Sequence, residues 1–93
     1  MTQTRWRILF SGKVQHVGFR YTAYYLARGL ELTGWVMNLP DGSVLLEAQG
    51  SAPRLRKLLI RLKSQPHIHI EKAVLTEIPP EAEEAGFRVK SGR

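Results

Sequence analysis

The hydrophobic period of this chain switches from two residues to 3.6 and back, twice over, within 93 residues. Trp6, Ile8 and Phe10 alternate with Arg5, Arg7 and Ser11, the pattern of a half-buried strand that ends at Ser11-Gly12. Phe19, Ala23, Leu26, Ala27 and Leu30 then fall at i, i+4, i+7, i+8 and i+11, which is one face of a helix, and Gly34 closes that region. Trp35 to Leu39 and Val44 to Gln49 read as two strands. Pro40-Asp41-Gly42-Ser43 joins them with turn chemistry, because Pro fixes φ and Gly supplies φ > 0. Gly50-Ser51-Ala52-Pro53 opens a second helix with Ser51 at its N-cap, and Leu55, Leu58, Leu59 and Leu62 form its inner face. Ile68 and Ile70 begin a fourth strand running toward Thr76 and stopped by Pro79-Pro80. Its phase slips between Ile70 and Ala73, where a bulge is expected. Phe87 to Lys90 is a short last strand.

The order β-α-β-β-α-β, with a short fifth strand, predicts an α+β ferredoxin-like sandwich: an antiparallel sheet with two helices on one face. The length suits one domain spanning 1–93. There are no cysteines, which excludes a disulfide framework, zinc–thiolate ligation and a cysteine nucleophile. No apolar run reaches the ~18 residues that cross a bilayer. The start, with Arg5 and Arg7 interrupting a short apolar run, is not the pattern of a signal peptide, so a cytoplasmic protein is expected. Lys and Arg number 14 against 8 Asp and Glu, a net charge of +6 that suits an anionic ligand.

Gly12 to Arg20 is where chemistry is expected. A loop entering a helix presents N–H groups that have no partner within the helix, and the positive end of the helix dipole adds to them. Arg20, at the helix start, can hold two oxygens of one phosphoryl group. The same features also describe an ordinary glycine-containing loop with a solvated Arg, and on their own they do not decide between the two.

Gly12-Lys13-Val14-Gln15-His16-Val17-Gly18-Phe19-Arg20 resembles the acylphosphatase signature G-x-V-Q-G-V-x-F-R, matching all its fixed positions but one. Gly34-Trp35-Val36-Met37-Asn38-Leu39-Pro40-Asp41-Gly42-Ser43-Val44 resembles that family's second motif, G-[FYW]-V-x-N-x-x-D-G-x-V. The resemblance covers nearly the whole chain. It implies hydrolysis of an acyl phosphate to a carboxylate and inorganic phosphate, without metal or organic cofactor. Arg20 stands where the family's phosphate-binding Arg stands, and Asn38 where its water-positioning Asn stands. The backbone N–H groups of Gln15, His16, Val17, Gly18, Phe19 and Arg20 would line the phosphate cradle.

His16 occupies the family's Gly position. It keeps the backbone N–H, and if φ is positive there His is among the less unfavourable replacements. Its ring either faces solvent, the reading favoured here, or leans over the anion as a titratable donor. The expectation is an active enzyme with a less rigid loop. Asn38 before Leu-Pro-Asp-Gly would read simply as a turn former without the second motif. Asp41 is read as shaping that turn. Phe19, Tyr21, Tyr24 and Tyr25 are read as core and helix surface, with Tyr21 a candidate border of the acyl group. His67 and His69 are read as a pair on one strand face that lacks a third metal ligand. Arg54, Arg56, Lys57, Arg61 and Lys63 make the second helix basic, which fits a solvated face or attraction of polyanions. Two rivals follow. One is a nucleic-acid-binding module, disfavoured because Val44 to Gln49 carries no aromatic. The other is a non-catalytic anion-binding domain. A monomer is expected, with an acyl phosphate as its small-molecule partner and no membrane partner. Glu81-Ala82-Glu83-Glu84 is read as a solvated connector.

Overall fold

The structure is a computed structural model that describes residues 3–91, so both ends of the expected 1–93 domain lie outside the described residues. The elements are β1 (Thr4–Lys13), α1 (Phe19–Gly29), β2 (Thr33–Asn38), β3 (Val44–Gly50), α2 (Ala52–Lys63), β4 (His69–Ile78) and β5 (Phe87–Lys90). They form one five-stranded sheet in the order β4-β1-β3-β2-β5. The first four strands have the ferredoxin-like arrangement. The register of β1 on β4 shifts so that Ser11 faces Lys72 while Gly12 faces Ile70, which leaves Glu71 over and puts a bulge where the phase slip predicted one.

β5 departs from expectation. It pairs with β2 in parallel, Gly34 against Phe87 and Met37 against Lys90, so the sheet is mixed and not wholly antiparallel. The reason is the path of residues 79–86, which cross the sheet at the end where β4 finishes, so that β5 starts beside the start of β2 and runs in the same direction.

One face of the sheet carries the core. Ile8, Phe10, Val36, Val44, Leu46, Ala48 and Phe87 pack against Phe19, Ala23 and Ala27 of α1 and Leu55, Leu58 and Leu62 of α2, all buried. α1 ends because Glu31 takes a left-handed backbone, φ 57°, and the Leu32 N–H turns back to the carbonyl of Ala27 at 2.9 Å. α2 starts at Ser51 as expected, with Pro in its first turn, although the Ser51 side chain makes no cap hydrogen bond.

The opposite face holds a buried ionic network around Arg5, which is only 2% exposed. Arg5 Nε donates to Glu47 at 2.9 Å, and Nη1 and Nη2 donate to the two carboxylate oxygens of Glu84 at 2.7 and 3.1 Å. Glu47 also accepts from Arg7 Nε at 2.9 Å. The Gln49 carboxamide reads the connector backbone both ways, donating to the Glu81 carbonyl at 3.0 Å and accepting from its N–H at 2.7 Å. Residues 81–84 are therefore not a free solvated connector. Glu84 comes in because a buried guanidinium needs compensating charge.

Burial pushes the Glu84 carboxyl up, but the hydrogen bonds and charge of Arg5 outweigh it and hold the group below the ordinary glutamate range. A carboxylate with a depressed folded value contributes stability that is present above its unfolded value, about 4.3, and is lost as pH falls through the folded value. Glu84→Ala should lower the unfolding free energy by about 2–3 kcal/mol at neutral pH, below the full cost of breaking a buried pair because Glu47 and Gln49 still hold Arg5. Urea unfolding of both proteins as a function of pH checks this. The gap should close in acid, and a gap that is constant with pH would contradict the ionic account.

Candidate active site

β1 and β2 both run antiparallel to β3, so they point the same way, and β5 runs with β2. The C-terminal ends of all three strands therefore meet at one edge of the sheet. The loop 14–18 leaves β1 there, α1 starts there, and Asn38 ends β2 there.

The loop is held by its apolar side chains. Val14 is fully buried, Val17 packs on the core, and the Phe19 ring lies 4.9 Å from that of Phe10. With these side chains turned inward, the backbone is left to the surface. Among the described residues, the N–H groups of 15–19 donate to no backbone carbonyl. Two left-handed residues bend the loop: His16 at φ 62° and Gly18, the N-cap of α1, at φ 79°. A Cβ on Gly18 would meet nothing within 4 Å, so its requirement is conformational and not spatial. Gly18 supplies no side-chain cap and the first turn of α1 carries no acid, so the helix dipole there is not neutralised by its own residues.

A cleft of about 220 Å³ opens on this loop, bordered by His16, Gly18, Arg20, Tyr21 and Asn38. Among the described residues, no carboxylate lines it. Arg20 is half-buried, and its Nη1 donates to the carbonyl of Lys90 at 3.3 Å, which ties the guanidinium to the end of β5. Gln15 contributes its N–H to the loop, but its side chain turns to the hairpin between β2 and β3. There Nε2 donates to the carbonyls of Leu39 at 2.7 Å and Ser43 at 2.8 Å. Asp41 shapes that turn, as expected. Its carboxylate accepts from the Ser43 hydroxyl and from the Ser43 N–H at 3.0 Å, and these bonds hold its pKa below the ordinary value.

Of the residues singled out in the sequence, His16, Gly18, Phe19, Arg20 and Asn38 line one cleft, Gln15 and Val17 do not line it, and Tyr21 borders it while 62% exposed. His16 is exposed. Phe19 is core, and Tyr24 stacks edge-on against Tyr25 at 5.1 Å. His67 is not on a strand. It lies in the turn before β4, so it shares no strand face with His69. The periodic pattern around Ile68 and Ile70 extends the strand too early because the turn is short. The Lys90 carbonyl and the Gln15 side-chain bonds were not foreseen, since neither leaves any local trace in the sequence.

Backbone N–H groups and an Arg at a helix N-terminus make a geometry that suits an anion. The family model described as acylphosphatase matches residues 6–89. An acylphosphatase of Marinobacter nauticus is 40% identical over 89 residues, 95% of this chain and 97% of that one. The crystal structure of the Bacillus subtilis acylphosphatase superposes with a TM-score of 0.87 at 31% identity, covering 94% of this chain and 98% of the other. An acylphosphatase structure from Coxiella burnetii gives 0.86 at 36% identity, covering 95% and 93%. The chain belongs to the acylphosphatase family and is a hydrolase of that family.

His16 carries a testable cost. A side chain in the left-handed region is disfavoured by about 1–2 kcal/mol, partly offset in any Gly variant by the extra freedom Gly has in the unfolded chain. His16→Gly should therefore raise the unfolding free energy by about 0.5–1 kcal/mol and turn over faster than the wild type. Urea unfolding and acyl phosphate hydrolysis measure the two effects. Equal or lower values of both would show that the loop carries no strain at His16.

Proposed function

We propose that this chain hydrolyses acyl phosphates with Arg20 and Asn38 as its catalytic residues and the N–H groups of 15–20 as the phosphate cradle. One observation carries the reading: Arg20, Asn38 and the loop residues His16, Gly18 and Phe19, whose N–H groups donate to no backbone carbonyl, line a single cleft with no carboxylate among the described residues that border it.

Arg20 grips two phosphoryl oxygens through its forked donors, and the cradle N–H groups meet the remaining charge. The Asn38 amide oxygen accepts a hydrogen bond from a water and aims its lone pair at phosphorus, in line with the bond to the acyl oxygen. Attack forms the new P–O bond as the acyl P–O bond breaks, and that electron pair leaves on the carboxylate. An amide is too weak a base to take the water's proton, which passes to a phosphoryl oxygen of the substrate. A carboxylate is a stable leaving group, so no general acid is required. Phosphoryl transfer asks mainly for positioning and charge stabilisation, which this set of groups supplies.

The chain is read as one domain acting as a cytoplasmic monomer. No helix among the described residues is long and apolar enough to cross a membrane. The nucleic-acid reading is not adopted. β3, central in the sheet, turns Leu45, Glu47 and Gln49 to the open face, and Glu47 is already bound by Arg5 and Arg7. Non-catalytic anion binding is kept as an outcome of the test.

That test is hydrolysis of benzoyl phosphate with a chelator present. Turnover should persist, and Arg20→Ala and Asn38→Ala should each lower kcat/KM by about 10²–10³. Arg20→Lys should recover little, because an ammonium is a point charge and not a fork. Wild-type turnover no faster than the uncatalysed reaction, with phosphate still bound, would instead identify a binding domain.

A further inference from the structure

The cradle and the residue proposed to aim the water lie 20 positions apart in sequence, yet one side chain locks them together. Both N–H bonds of the Gln15 carboxamide are used, one on the carbonyl of Leu39 at 2.7 Å and the other on that of Ser43 at 2.8 Å. These two carbonyls close the turn that follows Asn38. Leu39 N–H donates to the Ser43 carbonyl at 2.9 Å, Gly42 N–H donates to the Leu39 carbonyl at 3.2 Å, and Asp41 braces Ser43 from the other side. Asn38, by contrast, makes no side-chain hydrogen bond among the described residues, although it is half-buried beside the cleft. Its place relative to the cradle depends on the backbone that bears it, and Gln15 grips that backbone one residue further on.

We propose that Gln15 is a positioning residue for the hydrolysis: its carboxamide clamps the Leu39–Ser43 turn to the phosphate loop and so fixes the distance and angle from Asn38 to the bound phosphorus. This rests on the role proposed for Asn38. The backbone N–H of Gln15 serves the cradle, and its side chain serves the water. Phosphate binding and water placement thus meet in one residue but separate on substitution. A side chain that cannot donate leaves the cradle N–H intact and lets the turn drift, and a misplacement of about 1 Å at a reacting group costs on the order of 10² in rate.

Gln15→Met keeps the length of the side chain and removes both donors. The Leu39 and Ser43 carbonyls each keep a backbone partner, so the turn is weakened but not undone. With benzoyl phosphate as substrate and inorganic phosphate as competitive inhibitor, kcat should fall by about 10–100-fold while the phosphate inhibition constant moves by less than about threefold. In an Asn38→Ala background the same substitution should cost no more than about twofold, because nothing is left to position. Gln15→Glu supplies a second readout. An ionised carboxylate faces two carbonyl oxygens, whereas the protonated acid can donate to one, so the ratio of its kcat to the wild-type kcat should rise as pH falls.

An unchanged kcat in Gln15→Met would overturn the proposal. So would a phosphate constant that worsens in step with kcat, the full loss repeated on Asn38→Ala, or a Glu-to-wild-type ratio flat in pH. A wild-type rate in Asn38→Ala alone would remove the role of Asn38, and with it the clamp's purpose. That failure is told apart from the others because it needs no change at Gln15.

Discussion

Everything at the candidate site depends on β3 pairing with β1 and β2 at once. Val44 faces Phe10 on one side and Asn38 on the other, so the two strands that feed the site are held about 10 Å apart, two strand spacings. Phe10 of β1 and Asn38, the last residue of β2, are level with each other only in that register. A slip of one residue in the β2–β3 ladder would turn Asn38 to the opposite face of the sheet, and one in the β1–β3 ladder would do the same to the residues of β1. The core enforces the register, because the same slip would expose Val36, Leu46 or Ile8, each of which is almost wholly buried. The apolar packing that makes the fold stable is therefore also what brings the polar groups into one cleft.

The loop 14–18 shows how packing produces polar exposure. Val14, Val17 and Phe19 are drawn into the core, and a chain that turns three side chains inward over so short a span must turn its amides elsewhere. His16 and Gly18 take the left-handed conformations that this path requires. The unpartnered N–H groups face the surface and are the groups an anion can use. Arg20 is restrained in the same spirit. Its bond to the Lys90 carbonyl limits where the guanidinium can go before any ligand arrives, which lowers the ordering cost on binding.

Much of this could be read from the sequence, and the gaps have a common physical cause. Helices and strands announce themselves through local period, so α1, α2, the hairpin and even the bulge at Glu71 follow from residue spacing. Arg20 and Asn38 were legible only through the resemblance of two motifs; the loop alone fits an ordinary turn equally well. What stayed hidden is contact between distant segments. The parallel seat of β5 depends on the route of residues 79–86, which carry no period. Glu84 looks like one more surface acid until Arg5, 79 residues away, is seen to be buried beneath it. Gln15 reads as a polar loop residue because its partners lie 24 and 28 residues downstream.

The two ends of the sheet handle charge in opposite ways. At the end where β1 begins, on the face away from the helices, buried Arg5 and exposed Arg7 meet Glu47 and Glu84, so two cations are balanced by two anions. At the end where β1 finishes, Arg20 borders a cleft without a carboxylate among the described residues, beside a helix N-terminus without an acid. Opposite charges close in space compensate each other, and their field fades within about a Debye length of 8–10 Å. The balanced network therefore leaves the positive potential of the cleft undiminished, and a long strand such as β1 can anchor both. With the left-handed His16 and the unpartnered amides of the loop at one end, the stability of the fold comes from the aliphatic core and from the buried ion pairs at the far end of the same strand.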